Sequence, residues 1–144
     1  MVNKVLFATD FSQVSEEAFG QAVRFAKLTD ASLVIAHVLH FPPMVGSAFV
    51  PMAEETEDAM RTWCRNRLGE LAAKATAAGV AAETALREGP HAHEGIIKAA
   101  DEHKVLMIVL GTHGRTGLTK LVMGSVAARV ITESPCPVLT VRAR

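Results

Sequence analysis

Five short apolar runs, separated by stretches of helical periodicity, constrain this chain more than any other feature. Residues 2–9 (VNKVLFAT), 32–39 (SLVIAHVL) and 105–110 (VLMIVL) are apolar almost without alternation, the pattern of strands buried on both faces. Residues 80–87 alternate weakly and read as a third strand at a sheet edge, and residues 138–141 (VLTV) form a fifth. Before the second run, Ser12 or Ser15 can cap a helix whose first turn holds Glu16 and Glu17. Its buried stripe is Ala18, Ala22, Phe25 and Ala26, joined by Phe19 and Val23, and it runs to Leu28. Residues 54–78 place Met60, Trp63, Cys64, Leu68, Leu71, Ala72 and Ala75 on one helical stripe that Gly79 ends. Pro90 can open a helix over residues 92–103, and residues 126–133 give a fourth. Alternating strands and helices with continuous apolar strands imply a parallel sheet covered by helices on both faces. Such sheets bind ligands at the carboxyl ends of their strands, where strand order reverses. Asp10, the end of the run at Leu39, and Gly111 all fall at those ends.

A chain of 144 residues fits a single domain over residues 1–144 with a core of its own. Fifteen basic and fifteen acidic side chains cancel, there is no tyrosine, and no basic block occurs, which argues against a general nucleic-acid surface. Cys64 and Cys136 form no CxxC or zinc spacing, so a reduced, cytoplasmic setting is expected. The apolar run before Asp10 is too short for an export signal or a membrane span, so no membrane association is expected. Residues 40–53 (HFPPMVGSAFVPMA) combine three prolines with large apolar residues. That suits a binding loop or lid, or equally a segment tucked against the body or a partner subunit.

The most informative stretch is residues 110–126, LGTHGRTGLTKLVMGSV. The apolar run stops at Gly111, Gly114 and Gly117 follow, and Gly124-Ser125 opens the next helix. Strand, glycine loop and helix N-terminus together cradle phosphates: backbone amides approach closely where no Cβ intrudes, and the positive helix end faces the anion. No GK[ST] follows a first glycine at Walker spacing, and the first strand ends in Ala8-Thr9-Asp10-Phe11 with no glycine. Those absences disfavour P-loop hydrolysis and dinucleotide binding.

The segment GTHGRTGLTKLVMGSVAARVITESPCPVLTVR, with KVLFATDFS near the start and IAHVLH in the second strand, resembles the universal stress protein family along essentially the whole chain. Gly111, Gly114, Gly124 and Ser125 complete the G-x2-G-x9-G-[ST] pattern that marks the family's ATP-binding subclass. The resemblance implies a Rossmann-like open five-stranded parallel sheet of order 3-2-1-4-5. It also implies ATP in the crevice, homodimers through the last strand (Val138, Leu139, Thr140, Val141), and a cytoplasmic role in stress survival. Carried over position by position, Ala8, Thr9 and Asp10 form the first strand end, with Asp10 contacting the ribose and adenosine. Val38 meets the adenine through its backbone. Leu110, Gly111, His113, Gly114, Arg115, Gly124, Ser125 and Val126 form the loop and helix start that hold the phosphates. Ala8 departs from a proline found in some nucleotide-binding members, whereas Arg115 agrees with the basic or small polar residue usual after the second glycine.

The residues admit blander roles. Asp10 can cap the following helix, Ser125 can be a plain N-cap, Arg115 and Lys120 can be solvated loop cations, and Gly117 can be a turn glycine. Among six histidines, His91 with His93 and His37 with His40 show no carboxylate or cysteine at a recognised ligand spacing. Magnesium carried by ATP needs few protein ligands. No GxSxG elbow, adjacent carboxylate pair or Cys-His pairing is present, so no catalytic residue is assigned. Two readings compete with ATP binding: a slow ATP hydrolase or nucleotide-transferring enzyme, and a dimeric interaction protein with a vestigial pocket.

Overall fold

The computed structural model describes residues 2–41, 54–113 and 123–142. Nine elements follow in the order β1 (Lys4–Ala8), α1 (Gln13–Leu28), β2 (Ser32–Leu39), α2 (Glu54–Ala77), β3 (Ala82–Glu88), α3 (Ala92–His103), β4 (Met107–Gly111), α4 (Ser125–Glu133) and β5 (Val138–Val141). All strand pairs are parallel and the order is β3-β2-β1-β4-β5, as the family resemblance implies.

Strand alternation builds two cores. Leu6, Val34, Ala36, Ile108 and Leu110 face α3 and α4, where Ile96, Ala99, Ala100, Ala127 and Val130 meet them. Val5, Phe7, Leu33, Ile35 and Val109 face α1 and α2, packing on Ala18, Ala22, Ala26, Leu68 and Ala75. Alanines at four-residue spacing on α1 let its backbone lie close to the sheet, so the central strands are sealed on both sides. The edge strand β3 has one fully buried residue, Ala85, which explains why its apolar pattern is weak.

The first three helices end alike. Val80 N–H bonds Ala75 O and Gly79 N–H bonds Thr76 O, a left-handed closure that Gly79 adopts at φ 89°. Asp30 and Lys104 close α1 and α3 the same way at φ 52° and 51°, without a glycine to announce it. Three expectations need correction. Trp63 is 51% exposed rather than part of the buried stripe, because Cys64, Leu68 and Ala75 take the sheet-facing side of α2. Pro90 precedes the N-cap His91 of α3 instead of opening the helix. Ser125 is the first residue of α4, and Gly124 is its N-cap. Among the described residues no helix is long and apolar enough to cross a membrane.

Candidate nucleotide-binding crevice

The sheet order reverses between β1 and β4, so a crevice is expected where their carboxyl ends part. Phe7 is level with Val109, and Ala8 with Ala36. Continuing that register carries Asp10 to the level of Thr112 on one side and Val38 on the other. Strand ends 1, 2 and 4 therefore meet at one place.

The β1 end is held by a chain of hydrogen bonds. Thr9 N–H extends the ladder to Ala36 O at 2.9 Å, and His37 Nδ1 donates to Thr9 O at 2.7 Å, which requires the proton on that nitrogen. Phe11 N–H donates to Thr9 Oγ1 at 2.9 Å. The Ser15 hydroxyl donates to Ser12 O at 2.8 Å, so the 3.0 Å contact between Thr9 and Ser15 runs from the Thr9 hydroxyl. Asp10 Oδ1 accepts from Ser12 N–H at 3.0 Å, an Asx turn, while Ser12 caps α1. Asp10 therefore does part of the capping work expected of it, with its carboxylate fixed at the strand end. Phe11 takes a left-handed φ of 62° and stacks on His37, with centroids 4.4 Å apart. Trp63 meets Phe11 edge-on at 5.4 Å, and the Arg67 guanidinium lies 5.8 Å from the Phe11 centroid. None of Phe11, His37 or Trp63 was singled out from the sequence for this role, because their contacts cross from β1 to β2 and α2.

The β4 side is built on glycines. A Cβ on Gly111 would meet Val14 Cγ1 of α1 at 3.4 Å, and one on Gly124 would stand 3.0 Å from Thr112 O. Gly124 N–H bonds that carbonyl at 2.7 Å, pinning the amino end of α4 to the end of β4. Its N-cap offers no side-chain hydrogen bond, so the first-turn amides of α4 are not capped from Gly124. His113 Nδ1 shares a 2.9 Å hydrogen bond with the Thr112 hydroxyl, and its buried Nε2 has no partner among the described residues. Two glycines at the strand and helix ends, the amino end of α4 and an imidazole nitrogen without a partner among the described residues form a polar environment suited to an anion.

The remaining expected residues divide clearly. The side chains of Ala8, Val38 and Leu110 are buried in the α3/α4 core, leaving only backbone to offer a ligand. Thr9 spends its hydroxyl and carbonyl on the β1 frame. Ser125 and Val126 are exposed at the start of α4. Gly114, Arg115, Gly117, Lys120 and residues 42–53 lie outside the described residues. His91 and His93 stand 5.8 Å apart by ring centroid, and His93 Nε2 is 3.4 Å from Glu133 Oε2. Among the described residues no three His, Cys, Asp or Glu side chains gather as a metal site. A hollow of about 690 Å³ lined by Asn3, Lys27, Asp30 and Ser32 lies at the amino ends of the strands, opposite the crevice, and lacks the convergent glycine and amide geometry.

Known proteins resemble this chain along nearly its whole length. Universal stress protein MJ0531 of Methanocaldococcus jannaschii is 35% identical over 99% of this chain and 83% of its own length. Universal stress protein YxiE of Bacillus subtilis is 37% identical over 99% of this chain and all of its own. Among solved structures, MJ0577 of M. jannaschii superposes with a TM-score of 0.82 at 26% identity, covering 100% of this chain and 98% of that one. A universal stress protein solved in complex with cAMP does so at 0.71 and 27%, over 96% of each chain. The universal stress protein family model matches residues 1–142, and the chain belongs to that family.

Proposed function

We propose that this chain is an ATP-binding universal stress protein, a nucleotide-responsive cytoplasmic module of the stress response that works as a homodimer. The observation that carries the reading is the Thr112–Gly124 junction, where a 2.7 Å bond holds the amino end of α4 against the carboxyl end of β4. A Cβ at Gly124 would crowd Thr112 O at 3.0 Å, so the cradle depends on that glycine. The relative solved with cAMP supports an adenine nucleotide as the ligand.

In this reading the α4 amides, Ser125 and Val126 take the phosphates together with Gly111, Gly114 and Arg115, and the helix dipole adds to the attraction. His113 Nε2, orphaned in its buried position, hydrogen-bonds a phosphate or ribose oxygen. Asp10, its carboxylate held at the strand end by Ser12 N–H, accepts from ribose hydroxyls. The backbone of Val38, flanked by Ala8, Thr9 and Leu110, meets the adenine. Magnesium arrives on the phosphates, which supply most of its oxygen ligands. The proposal is one of binding, and no side chain is assigned to activate water.

The test is calorimetry with MgATP on the wild type and on Gly124→Val combined with Gly114→Ala. Affinity is expected to fall at least about tenfold, the cost of one lost charge-assisted hydrogen bond or more. An unchanged Kd in a folded variant overturns the assignment.

A further inference from the structure

Gly95 belongs to none of the glycine patterns discussed above, yet it is the most crowded glycine among the described residues. It lies at the end of the first turn of α3 (Ala92–His103). A Cβ there would stand 2.6 Å from Cγ2, 3.0 Å from Cγ1 and 3.4 Å from Cβ of Val38. Separations below 3 Å force something to move, and Val38 has little room to give. Its β-branched side chain favours few rotamers, and the residue is 9% exposed within the α3/α4 core. A glycine inside a helix costs about 1 kcal/mol relative to alanine, so the close approach stands against a helix propensity that favours a side chain.

The same strand end is also tied to the turn between β3 and α3. Gly89 N–H donates to Leu39 O at 3.2 Å, and His40 Nδ1 lies 3.3 Å from Gly89 O, just ahead of the α3 N-cap His91. The last residues of β2 and the first turn of α3 are thus fastened as one unit, with Gly95 on Val38 as its packed contact. Val38 is the penultimate residue of β2, two residues beyond Ala36, the last β2 residue paired with β1.

We infer that Gly95 is a positioning residue for the base end of the bound nucleotide: lacking a side chain, it seats α3 on Val38 and so sets where the carboxyl end of β2 meets the adenine. The inference rests on the nucleotide reading proposed above. It assigns Gly95 to base recognition, at the opposite end of the ligand from the glycines of the phosphate cradle. A methyl group at Gly95 pushes directly on Val38 at the end of β2, whereas the Thr112–Gly124 bond of the β4–α4 junction involves neither residue.

Titration calorimetry of the full chain with MgATP and with magnesium tripolyphosphate, which carries phosphates without base or ribose, separates the two ends. Gly95→Ala is expected to weaken ATP about tenfold and tripolyphosphate less than about twofold, the size of a contact-level coupling. In a Val38→Ala background, where both crowding methyl groups are gone, the same Gly95→Ala change should cost ATP less than about twofold. Val38→Ile, crowding the contact from the strand side, serves if Gly95→Ala does not fold, and should show the same selective loss. Equal ATP affinity in wild type and Gly95→Ala overturns the inference while leaving the nucleotide reading in place. Equal loss of ATP and tripolyphosphate also overturns it, since the damage is then general. A wild-type chain that binds no adenine nucleotide overturns the nucleotide reading and this inference with it.

Discussion

At Phe11 the backbone takes a conformation that its side chain opposes. A φ of 62° puts a bulky residue in the left-handed region, at a cost of about 1–2 kcal/mol. The cost is met locally by the Thr9 hydroxyl on its N–H and by His37, Trp63 and Arg67 around its ring. What the strain achieves is a sharp exit from β1 immediately after Asp10, which keeps that carboxylate at the strand end. Phe11→Ala keeps the backbone cost and loses the ring contacts, whereas Phe11→Gly loses the ring but relieves the backbone. Urea unfolding should therefore rank wild type above Gly, and Gly above Ala by about 1 kcal/mol, the reverse of the order usual at negative φ. Alanine equal to or above glycine would show that the left-handed turn is not enforced. Residues of this kind mark the limit of the sequence. Asp10, Gly111 and Gly124 stood out because their residue types match their backbone duties at the ends of strands or helices. Phe11, His37 and Gly95 did not, because their duties come from partners far along the chain: Thr9 for His37, Val38 for Gly95.

At the scale of elements, period and punctuation located all nine described helices and strands, and the errors concern where α3 and α4 begin and which side of α2 faces the sheet. Trp63 fits a helical stripe by spacing, but one helix turn holds room for either Cys64 or Trp63 against the sheet, and Cys64 takes it. The ion pairs around α2 were invisible for a similar reason. Arg61 reaches Glu88 at the end of β3 through Nε and Nη2, Asp58 and Glu57 on its own helix, and the Phe41 ring at 5.5 Å. The Arg61 hydrogen bonds hold the Glu88 carboxyl below the usual carboxylate range, and Lys4 does the same for Glu83. A carboxylate whose folded pKa is depressed contributes stability above its unfolded pKa, and that contribution is lost as pH falls through the folded value. Glu88 is exposed, so the effect is small. Calorimetric scans should find Glu88→Gln melting no more than about 3 °C below wild type at neutral pH, the gap closing in acid as the pH falls through the lowered range where Glu88 protonates. A gap that widens in acid would mean Glu88 acts through something other than its charge.

For the whole molecule, the unfinished part is the far edge of the sheet. β3 carries Glu83 and Glu88 along its exposed residues, with Arg61 of α2 on its end, but β5 pairs only with β4 and exposes Leu139 at 36%, and none of its four residues is fully buried. An edge strand of sequence VLTV, parallel to its neighbour and without a charge of its own, is a template for pairing with another strand. Closed two-fold pairing of β5 with its mate satisfies the open backbone groups and covers Leu139 in both copies at once, which is why a homodimer through Val138–Val141 is the proposed assembly. The same strand end touches the crevice, because Val141 O accepts from Thr112 N–H at 2.9 Å, one residue before His113. A dimer closed through β5 is therefore expected to stiffen the β4 side of the proposed nucleotide site, and nucleotide binding to favour the dimer in turn, since coupling between two sites is reciprocal. Leu139→Asp places a charge in the proposed seam of both copies, where an apolar side chain would otherwise be covered and like charges repel. Sedimentation equilibrium should show wild type as dimer and Leu139→Asp as monomer, with ATP affinity of the monomer lowered by about fivefold or more, the usual floor of such couplings. A variant that stays dimeric refutes β5 as the seam. A monomer that binds ATP as tightly as wild type keeps the seam but severs it from the crevice.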